Sequence, residues 1–490
     1  MPLLADVGVI GGGPAGAAAA RLLASWGHAV VVLSRPTRQL ALAESLPPSC
    51  TKLFDEIGVR ASVDRAGFVR ATGNTVQWAD HDRRVEMFDR GALGYQVPRD
   101  RFDALLLDAA QAAGAAVDRE ASVRDVSREG DLWRISFDRP SGADTLRARW
   151  VLDCSGRAGV LGRAWRRAES AARTIALVGR WDRDHKWSLE DETHTFVESY
   201  ANGWAWSVPI SSGRRFVTVM VDPQVTALTG RAEMQAAYDN ELRRTFALRS
   251  LVGGATRVGA AWACDATPYS STRVFDDGLL LVGDAASFVD PLSSFGVKKA
   301  LASAWLASVV VNTALSDSAA VSSALQLFAD RERLMYEGLR RGSAALSREA
   351  AGAHDTPFWS ARGDAELATD GDEWDVGELR ADSRVREAFE SIKARPAVQL
   401  RVRPAVKLIR RAIVRGRRVV LEDHLTAPAS PHGVRYCRNV DLVILTRLAP
   451  QFDQVPDLYE AYNRAAAPAP LPDFLGALSA LVGRGMLELV

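Results

Sequence analysis

The sequence predicts an α/β fold (α+β overall) in which a mainly parallel sheet carries an inserted antiparallel β-sheet and is followed by a small winged-helix-like domain. A strand, a glycine-rich turn, a helix and a second strand fill the first 33 residues. Alternating segments with hairpin pairs such as Asn202-Gly203 lie between residues 164 and 272. Apolar helical segments and a short strand end the chain. We therefore expect five segments, with the bounds 1–163, 164–272, 273–330, 331–417 and 418–490.

Composition limits the function classes. The 490 residues carry 61 Lys and Arg against 60 Asp and Glu, a net charge of +1, which argues against a protein that binds nucleic acid through backbone charge. Four distant cysteines and seven scattered histidines predict neither a disulfide framework nor a protein-bound metal. The first residues lack a signal peptide's basic region, and Ala300–Leu315 is short for a membrane span. We expect a cytoplasmic protein with no membrane partner.

The first 33 residues contain the signature of a dinucleotide-binding turn. Ala5–Ile10 is an apolar strand, residues 11–16 read GGGPAG, and a helix (Ala17–Trp26) and a second strand (Ala29–Leu33) follow. In a G-x-G-x-x-G turn, Gly11 permits the bend, Gly13 admits a pyrophosphate, and Gly16 lets the helix pack closely on the sheet. The free N–H groups at the helix start attract phosphate. The sequence therefore predicts a Rossmann-like domain.

The residue that closes the second strand departs from the usual pattern. An acidic residue normally binds the ribose hydroxyls there, whereas this chain has Ser34 followed by Arg35. Ser34 accepts a hydrogen bond more weakly, and Arg35 suits a phosphate or the adenine ring. The substitution weakens the argument for NAD but keeps a dinucleotide.

A second nucleotide segment lies near residue 284. Asp276–Asp290 reads DDGLLLVGDAASFVD, in which Leu279–Val282 is a buried strand that ends at Gly283-Asp284. Pro291–Gly296 (PLSSFG) then leads into a helix. Together with the N-terminal turn, this segment resembles the superfamily of FAD-dependent monooxygenases, geranylgeranyl reductases and tryptophan-halogenase-like enzymes. The resemblance implies FAD as the cofactor.

Roles for individual residues follow from the same resemblance. It implies that Asp284 binds a flavin ribityl or ribose oxygen, and that the helix start at Gly296-Val297 faces the isoalloxazine ring. Glu44–Pro48 resembles the family's G-E-S-x-P segment, although Ala43 replaces the usual Gly. Val97–Asp103 resembles V-x-R-x-x-F-D, and Val151–Arg157 resembles the closing D-A-T-G-R. Arg99 is then expected beside the flavin phosphates or ribityl chain. The remaining expected cofactor contacts are Pro14, Ala15, Ser34, Arg35, Ser45, Val123 and Pro291.

The inserted sheet carries a paired tryptophan motif. Trp204-Ala205-Trp206-Ser207-Val208-Pro209 resembles the W-x-W-x-I-P signature of flavin-dependent halogenases. Strand alternation places Trp204 and Trp206 on one face. One interpretation is two aromatic core residues; the other is a wall that separates flavin from substrate and excludes water.

The lysine that the halogenases use has no counterpart at the matching position. The resemblance places it about seven residues before Trp78, where this chain has Ala71 beside Arg70. Arginine stays protonated and does not readily form a haloamine-like adduct. The sequence therefore favours oxygen transfer, with Lys52 or Lys298 as possible substitutes in a halogenase.

A mechanism follows from the resemblance with few protein groups. Only one Rossmann fingerprint is present, so NAD(P)H docks transiently or a separate flavin reductase supplies electrons. Reduced flavin and molecular oxygen would give a C4a-hydroperoxide that transfers oxygen to an electron-rich ring. Trp204, Trp206, Glu44 and Lys298 are the candidate catalytic residues, and Glu44 and Lys298 also suit ordinary roles as a cap or a surface charge.

The last third of the chain alternates in charge. Residues 363–379 hold seven acidic and no basic residues, and residues 393–418 hold ten basic and no acidic residues. These stretches suit either two solvated faces or a docking surface for a charged partner. The final segment resembles the peptide-binding winged helix of peptide-modifying enzymes, although a packing cap on the core is an equal alternative.

These features favour an FAD-dependent monooxygenase that acts on a peptide or protein. The family it resembles most comprises flavoproteins that hydroxylate a peptidyl tryptophan during tryptophylquinone maturation. A small-molecule halogenase or aromatic hydroxylase is an alternative with related chemistry. A precursor-binding flavoprotein chaperone with little catalysis is an alternative of another class.

Overall fold

The computed structural model describes residues 3–36, 42–79, 82–169, 172–226, 230–363, 374, 379, 381–395 and 397–490. Two compact units divide the chain, Met1–Leu367 and Ala368–Val490. The acidic stretch expected at 363–379 lies outside the described residues except for Gly363, Trp374 and Leu379.

The first unit contains 21 of the described strands and nine of the described helices. Its strands are β1 (Leu3–Ile10), β2 (Val30–Leu33), β3 (Ala43–Leu46), β4 (Val69–Ala71), β5 (Gly73–Gln77), β6 (Arg84–Met87), β7 (Gly94–Pro98), β8 (Ala116–Asp118), β9 (Ser122–Glu129), β10 (Leu132–Arg139), β11 (Gly142–Asp153), β12 (Arg166–Ala168), β13 (Ile175–Asp182), β14 (Thr195–Tyr200), β15 (Gly203–Ser211), β16 (Arg214–Val221), β17 (Thr256–Arg257), β18 (Trp262–Asp265), β19 (Tyr269–Ser271), β20 (Phe275–Asp276) and β21 (Leu279–Leu281). Its helices are α1 (Pro14–Ser25), α2 (Thr51–Ile57), α3 (Arg60–Arg65), α4 (Arg99–Ala112), α5 (Arg231–Arg244), α6 (Ala247–Leu251), α7 (Gly296–Ser316), α8 (Val321–Ala353) and α9 (Pro357–Gly363).

The first sheet has the parallel core that the sequence predicts. Its order is β20-β21-β11-β1-β2-β8, and β1, β2, β8, β11 and β21 run parallel. The β9–β10 hairpin extends β11 on its N-terminal half. Since the parallel strands all end at one edge, the turns after β1, β11 and β21 gather there. Helices α1, α4 and α7 pack together beside this sheet.

The second sheet is larger than the inserted segment predicts. Its order is β17-β13-β16-β15-β14-β5-β6, with β18 also on β13. Strands β13 to β16 form antiparallel pairs as expected. The expected boundary at 163/164 is wrong for this sheet, because β14 pairs in parallel with β5 and so recruits residues 73–87. The sheet is accordingly mixed rather than purely antiparallel.

Two long helices follow the first sheet. α7 is long and apolar enough to cross a bilayer by length and composition, but 67% of its most apolar window is buried within the protein, which is typical of a core helix. α8 continues for 33 residues across the expected boundary at 330/331, because its apolar face packs on α7 and α9.

The second unit has its own core. Its strands are β22 (Leu400–Val402), β23 (Lys407–Arg415), β24 (Arg418–Ala427), β25 (Ser430–Val434), β26 (Tyr436–Cys437), β27 (Val440–Asp441) and β28 (Leu487–Leu489), and its described helices are α10 (Ser383–Ala394), α11 (Leu442–Leu448), α12 (Val455–Ala465) and α13 (Leu471–Gly483). The antiparallel strands β23 to β25 are followed by β26 and β27, three helices and β28, which pairs with β22. The winged-helix-like domain stays a prediction.

The second unit begins earlier than the expected residue 418. Val385 and Ile392 of α10 and Leu400 of β22 are buried in the same core as α11 and α13. Burial of these apolar side chains explains why the segment before residue 418 belongs to this unit. Helices α10, α12 and α13 also border an apolar groove of about 430 Å³.

Two glycines of α13 offer a matched test of this packing. A Cβ at Gly483 would lie 2.7 Å from the backbone of Val385 in α10, whereas a Cβ at Gly476 would meet nothing within 4 Å. We expect Gly483→Ala to destabilise the second unit by ~1–3 kcal/mol through overpacking. Gly476→Ala should stabilise it by up to ~1 kcal/mol, because alanine favours the helix. Scanning calorimetry of the full chain measures both; equal shifts for the two variants would contradict the α10–α13 contact.

Candidate active site

The glycine-rich turn joins β1 to α1 through contacts that only glycine permits. Gly11 has a φ of +106°, and a Cβ there would lie 2.4 Å from the Cys154 carbonyl oxygen. A Cβ at Gly16 would lie 1.9 Å from the Gly11 carbonyl oxygen. At Gly13, by contrast, a Cβ would approach only the Asp103 carboxylate, at 4.0 Å. The turn is therefore closed at Gly11 and Gly16 and open at Gly13.

The start of α1 suits a phosphate group. Pro14 occupies the first turn, no side chain caps the helix, and the first turn holds no acidic residue. The N–H groups of the first turn have no intrahelical acceptor, and the helix dipole favours negative charge at this end. These features, together with the open side at Gly13, fit the pyrophosphate of FAD.

A partly buried ion cluster lies beside this turn. β3 pairs with β7 so that Ala43 faces Pro98, which places Glu44 next to Arg99 at the start of α4. The Arg99 guanidinium contacts a Glu44 carboxylate oxygen at 3.2 Å and an Asp103 carboxylate oxygen at 2.9 Å. Burial raises the pKa of Glu44, and Arg99 partly offsets that effect. Burial alone would lower the pKa of Arg99, but Asp103 and Glu44 raise it above its usual value.

Asp284 joins this cluster from a different strand. It follows β21 in the Gly283–Ala285 turn, and its negative charge acts on both Glu44 and Arg99. The structure therefore brings Asp284 together with Glu44 and Arg99, two other residues that the sequence predicts and that precede it by more than 180 positions. Their donors and carboxylates suit the hydroxyl and phosphate groups of a flavin dinucleotide.

The start of α7 forms a second open helix end. No atom lies within 4 Å of a Cβ built at Gly296, and α7 has neither a capping side chain nor an acidic residue in its first turn. Val297 is buried. Asp290 fixes the preceding turn by accepting the Leu292 N–H at 3.0 Å. This end of α7 fits the expected position beside an isoalloxazine ring.

The two adjacent lysines of α7 point to different surroundings. The Lys298 ammonium lies 4.7 Å from the centre of the Phe295 ring. Burial raises the pKa of the Cys50 thiol to about 12, and the positive charge of Lys298 partly opposes this rise. Lys299, to which the sequence assigned no role, is buried and donates to carbonyl oxygens of the Gly283–Ser287 turn. The apolar composition of α7 was the available signal, since a lysine on its buried face requires polar partners.

Aromatic side chains cover the face of the second sheet that the Pro291 turn contacts. The Trp204 and Trp206 rings stack with centroids 4.6 Å apart, as same-face residues of β15 should. Trp204 is only 2% exposed, and Trp206 is partly buried. One apolar cluster contains both tryptophans with Trp78, Trp359, Phe288 and Leu292. Because Phe288 and Leu292 flank Asp290, this aromatic wall adjoins the turn that leads into α7.

The position of the expected halogenase lysine holds no amine. Ala71 is 1% exposed in β4. The neighbouring Arg70 pairs with Asp64 at 3.0 Å and covers the Tyr95 ring at 4.1 Å. Lys52 is exposed on α2. The structure thus places alanine where the resemblance implied an amine.

Four other predicted cofactor residues lie at scattered points of the first unit. Ser34 follows β2, and a Cβ at Gly12 would lie 2.6 Å from its hydroxyl. Arg35 is exposed. Ser45 is half-buried opposite Gln96, and the side chain of Val123 in β9 packs into the core of the first sheet. Their cofactor contacts stay predictions. Within the described residues, no group of three or more His, Cys, Asp and Glu side chains is placed to hold a metal ion.

Comparisons with known proteins identify the family and relatives of this fold. A family model described as the FAD binding domain matches residues 4–333. Tryptophan 2-halogenase of Chondromyces crocatus is 28% identical over 380 residues, which cover 74% of this chain and 71% of that protein. The flavin-dependent halogenase CmlS superposes with a TM-score of 0.78 at 21% identity, covering 99% of this chain and 96% of the other.

A third relative has a different activity in its name. The peptidyl tryptophan dihydroxylase QhpG, described as essential for tryptophylquinone cofactor biogenesis, superposes with a TM-score of 0.70 at 23% identity. The match covers 98% of this chain and 99% of that chain. At these identities both structural likenesses show the shared fold.

Gly13 and Gly16 provide a test of the expected FAD site, the turn at residues 11–16 with the start of α1, which we call the cofactor cradle. Gly13→Val should leave the apoprotein folded, because Gly13 has an ordinary negative φ of −74° and open space at its Cβ position. The same side chain would obstruct the pyrophosphate and weaken FAD binding at least roughly tenfold. Gly16→Val should destabilise the apoprotein itself, because its Cβ meets the Gly11 carbonyl. Thermal unfolding and flavin-fluorescence titration of apoprotein separate these effects; full FAD affinity in Gly13→Val would place the cofactor elsewhere.

Proposed function

The chain belongs to the FAD-binding domain family and is an FAD-dependent oxidoreductase, and from this premise we propose that it is a monooxygenase that hydroxylates a tryptophan of a peptide or protein. The modification would belong to the maturation of a quinone cofactor. The observation that carries the proposal is the stacked Trp204–Trp206 wall beside the Pro291 turn, combined with alanine at the expected lysine position.

The wall suits an aromatic substrate. An indole ring packs well on aromatic faces through offset-stacked or edge-to-face contacts, and the partly buried Trp206 presents such a face. The surrounding apolar side chains exclude water, which protects a reactive oxygen donor from wasteful breakdown. FAD, when bound and reduced, supplies the activation of molecular oxygen.

Charged residues of this chain would hold the cofactor in register with the wall. Arg99 and the start of α1 would bind the pyrophosphate, and Asp284 would accept a hydroxyl group of the ribityl chain or ribose. The start of α7 would stabilise negative charge on the isoalloxazine ring through its dipole. Glu44 and Asp103 hold the Arg99 guanidinium in a fixed orientation, which reduces the ordering cost of binding.

The absence of a lysine at position 71 favours oxygen transfer over halogen transfer. A halogenating amine must be deprotonated to form a haloamine-like adduct. Ala71 has no side-chain amine, and the guanidinium of the neighbouring Arg70 does not lose its proton readily. With a single glycine fingerprint, the chain would receive electrons from a separate flavin reductase or from transiently docked NAD(P)H.

The second unit supports a polypeptide substrate. The sequence of this unit resembles the peptide-binding winged helix of peptide-modifying enzymes, and three helices followed by a short strand end it. Its apolar groove of about 430 Å³ is of the size that binds several side chains. QhpG, which shares this fold, is by its name a dihydroxylase of peptidyl tryptophan, the substrate class proposed here.

Halogenation of a small aromatic molecule is the second candidate function. The relationship to a tryptophan 2-halogenase favours it, and Lys298 at the start of α7 is the amine that would serve. In a third possibility the protein mainly binds a precursor polypeptide, in which case reduced flavin would reoxidise in air without modifying the bound partner.

Substrate class provides the direct test of hydroxylation. We expect purified holoenzyme with a flavin reductase, NADH and air to add one or two oxygen atoms to tryptophan within a library of tryptophan-containing peptides. Free tryptophan should react at least roughly tenfold more slowly, because it lacks the contacts of the flanking backbone. Tandem mass spectrometry with bromide present locates the modification; bromine on free tryptophan would contradict the proposal.

A tryptophan pair supplies the matched control for that reaction. Trp206→Ala should raise oxygen consumption per product formed, because the opened wall admits water and loosens the substrate ring. Trp133→Ala removes a tryptophan of the β10 hairpin, whose indole donates to the Asp277 carbonyl, and should leave this ratio unchanged. An equal amount of oxygen consumed per product formed in the two variants would contradict a role for the Trp204–Trp206 wall in this reaction.

A further inference from the structure

Lys299 is a buried cation in the first turn of α7, and the proposed function gives it no role. Its side chain is 3% exposed. The ammonium donates to the carbonyl oxygen of Gly283 at 3.0 Å and to that of Ser287 at 2.5 Å. It also contacts a carboxylate oxygen of Asp284 at 3.5 Å. All three partners belong to the turn that follows β21, so the Lys299 side chain alone contacts this turn at three residues.

The surroundings of Lys299 show how its charge is compensated. Glu332 of α8 is 3% exposed; burial raises its pKa, and the Lys299 charge opposes that rise. Ser303, one turn along α7, accepts the Gly283 N–H at 2.9 Å. Lys299 and Ser303 of α7 therefore both hold the turn after β21, and the buried carboxylate of Glu332 compensates the charge of Lys299.

A purely structural explanation accounts poorly for this arrangement. Removing an ammonium from water is unfavourable before its new contacts are counted, and an apolar side chain of similar size is often as stabilising. Asp284 differs from its buried neighbours, because its side chain remains 29% exposed. The Lys299 ammonium thus orients the Asp284 carboxylate, which stays partly exposed and so is free to contact a bound cofactor.

We propose that Lys299 is a positioning residue for FAD, which fixes the Asp284 carboxylate and the Gly283–Ser287 turn in the geometry that binds the flavin hydroxyl groups. The inference rests on the FAD cofactor and not on the hydroxylation reaction. Lys299 acts through Asp284, so the two residues should be energetically coupled with respect to FAD affinity.

A double-mutant cycle on FAD binding tests this coupling. Apoprotein is titrated with FAD by fluorescence for the wild type, Lys299→Met, Asp284→Asn and the double variant. Lys299→Met should weaken FAD binding roughly ten- to hundredfold, the range expected when a charge-assisted contact is lost. In the Asp284→Asn background the same change should have less than a roughly threefold effect, because its partner is already removed.

The controls separate positioning from stability. Lys186→Met removes an exposed lysine and should leave FAD affinity within about twofold of the wild type. Should Lys299→Met fail to fold, Lys299→Gln retains an amide donor for the turn and removes the charge, and the same non-additivity is expected. Two results would overturn the proposal: FAD affinity of Lys299→Met that is unchanged, whether or not the apoprotein Tm falls, or effects of the two single variants on FAD affinity that multiply in the double variant.

Discussion

The contact between Gly16 and the Gly11 carbonyl oxygen constrains the whole cofactor side of this protein. It lets α1 approach the end of β1 so closely that any side chain at Gly16 would overlap the backbone. Because α1 in turn packs against α4 and α7, its depth fixes the start of α4 at Arg99 and the start of α7 at Gly296. Two helix ends and one guanidinium are thereby directed to the same edge of the parallel sheet.

The turn between β21 and α7 connects this edge to the second sheet. Asp284 of this turn contacts Lys299 of α7, whereas Phe288 and Leu292 pack into the aromatic cluster of Trp204 and Trp206. A segment of about a dozen residues therefore contributes to both the cradle and the wall. This continuity explains how a cofactor bound by one sheet and a substrate packed on the other would be held at a fixed separation.

Local patterns predicted much of this arrangement, and long-range pairing limited the rest. The G-x-G-x-x-G turn and the hairpins of β13 to β16 follow from motifs within short stretches, whereas the pairing of Arg99 with Glu44 depends on the contact of β3 with β7. The recruitment of β5 and β6 into the second sheet does not follow from such motifs either, because a parallel pairing between β14 and β5 leaves no local sequence signal. The contacts of Lys299 could not be predicted from its own segment, because they lie in the turn that follows β21.

Isotope labelling of the reaction product tests the central claim most directly. The holoenzyme would be reduced and exposed to ¹⁸O₂ with a tryptophan-containing peptide in the presence of bromide. The account predicts ¹⁸O on the indole ring and no bromine, since position 71 supplies no amine to carry halogen. A brominated indole without ¹⁸O would contradict it and would identify the protein as a halogenase that uses another lysine.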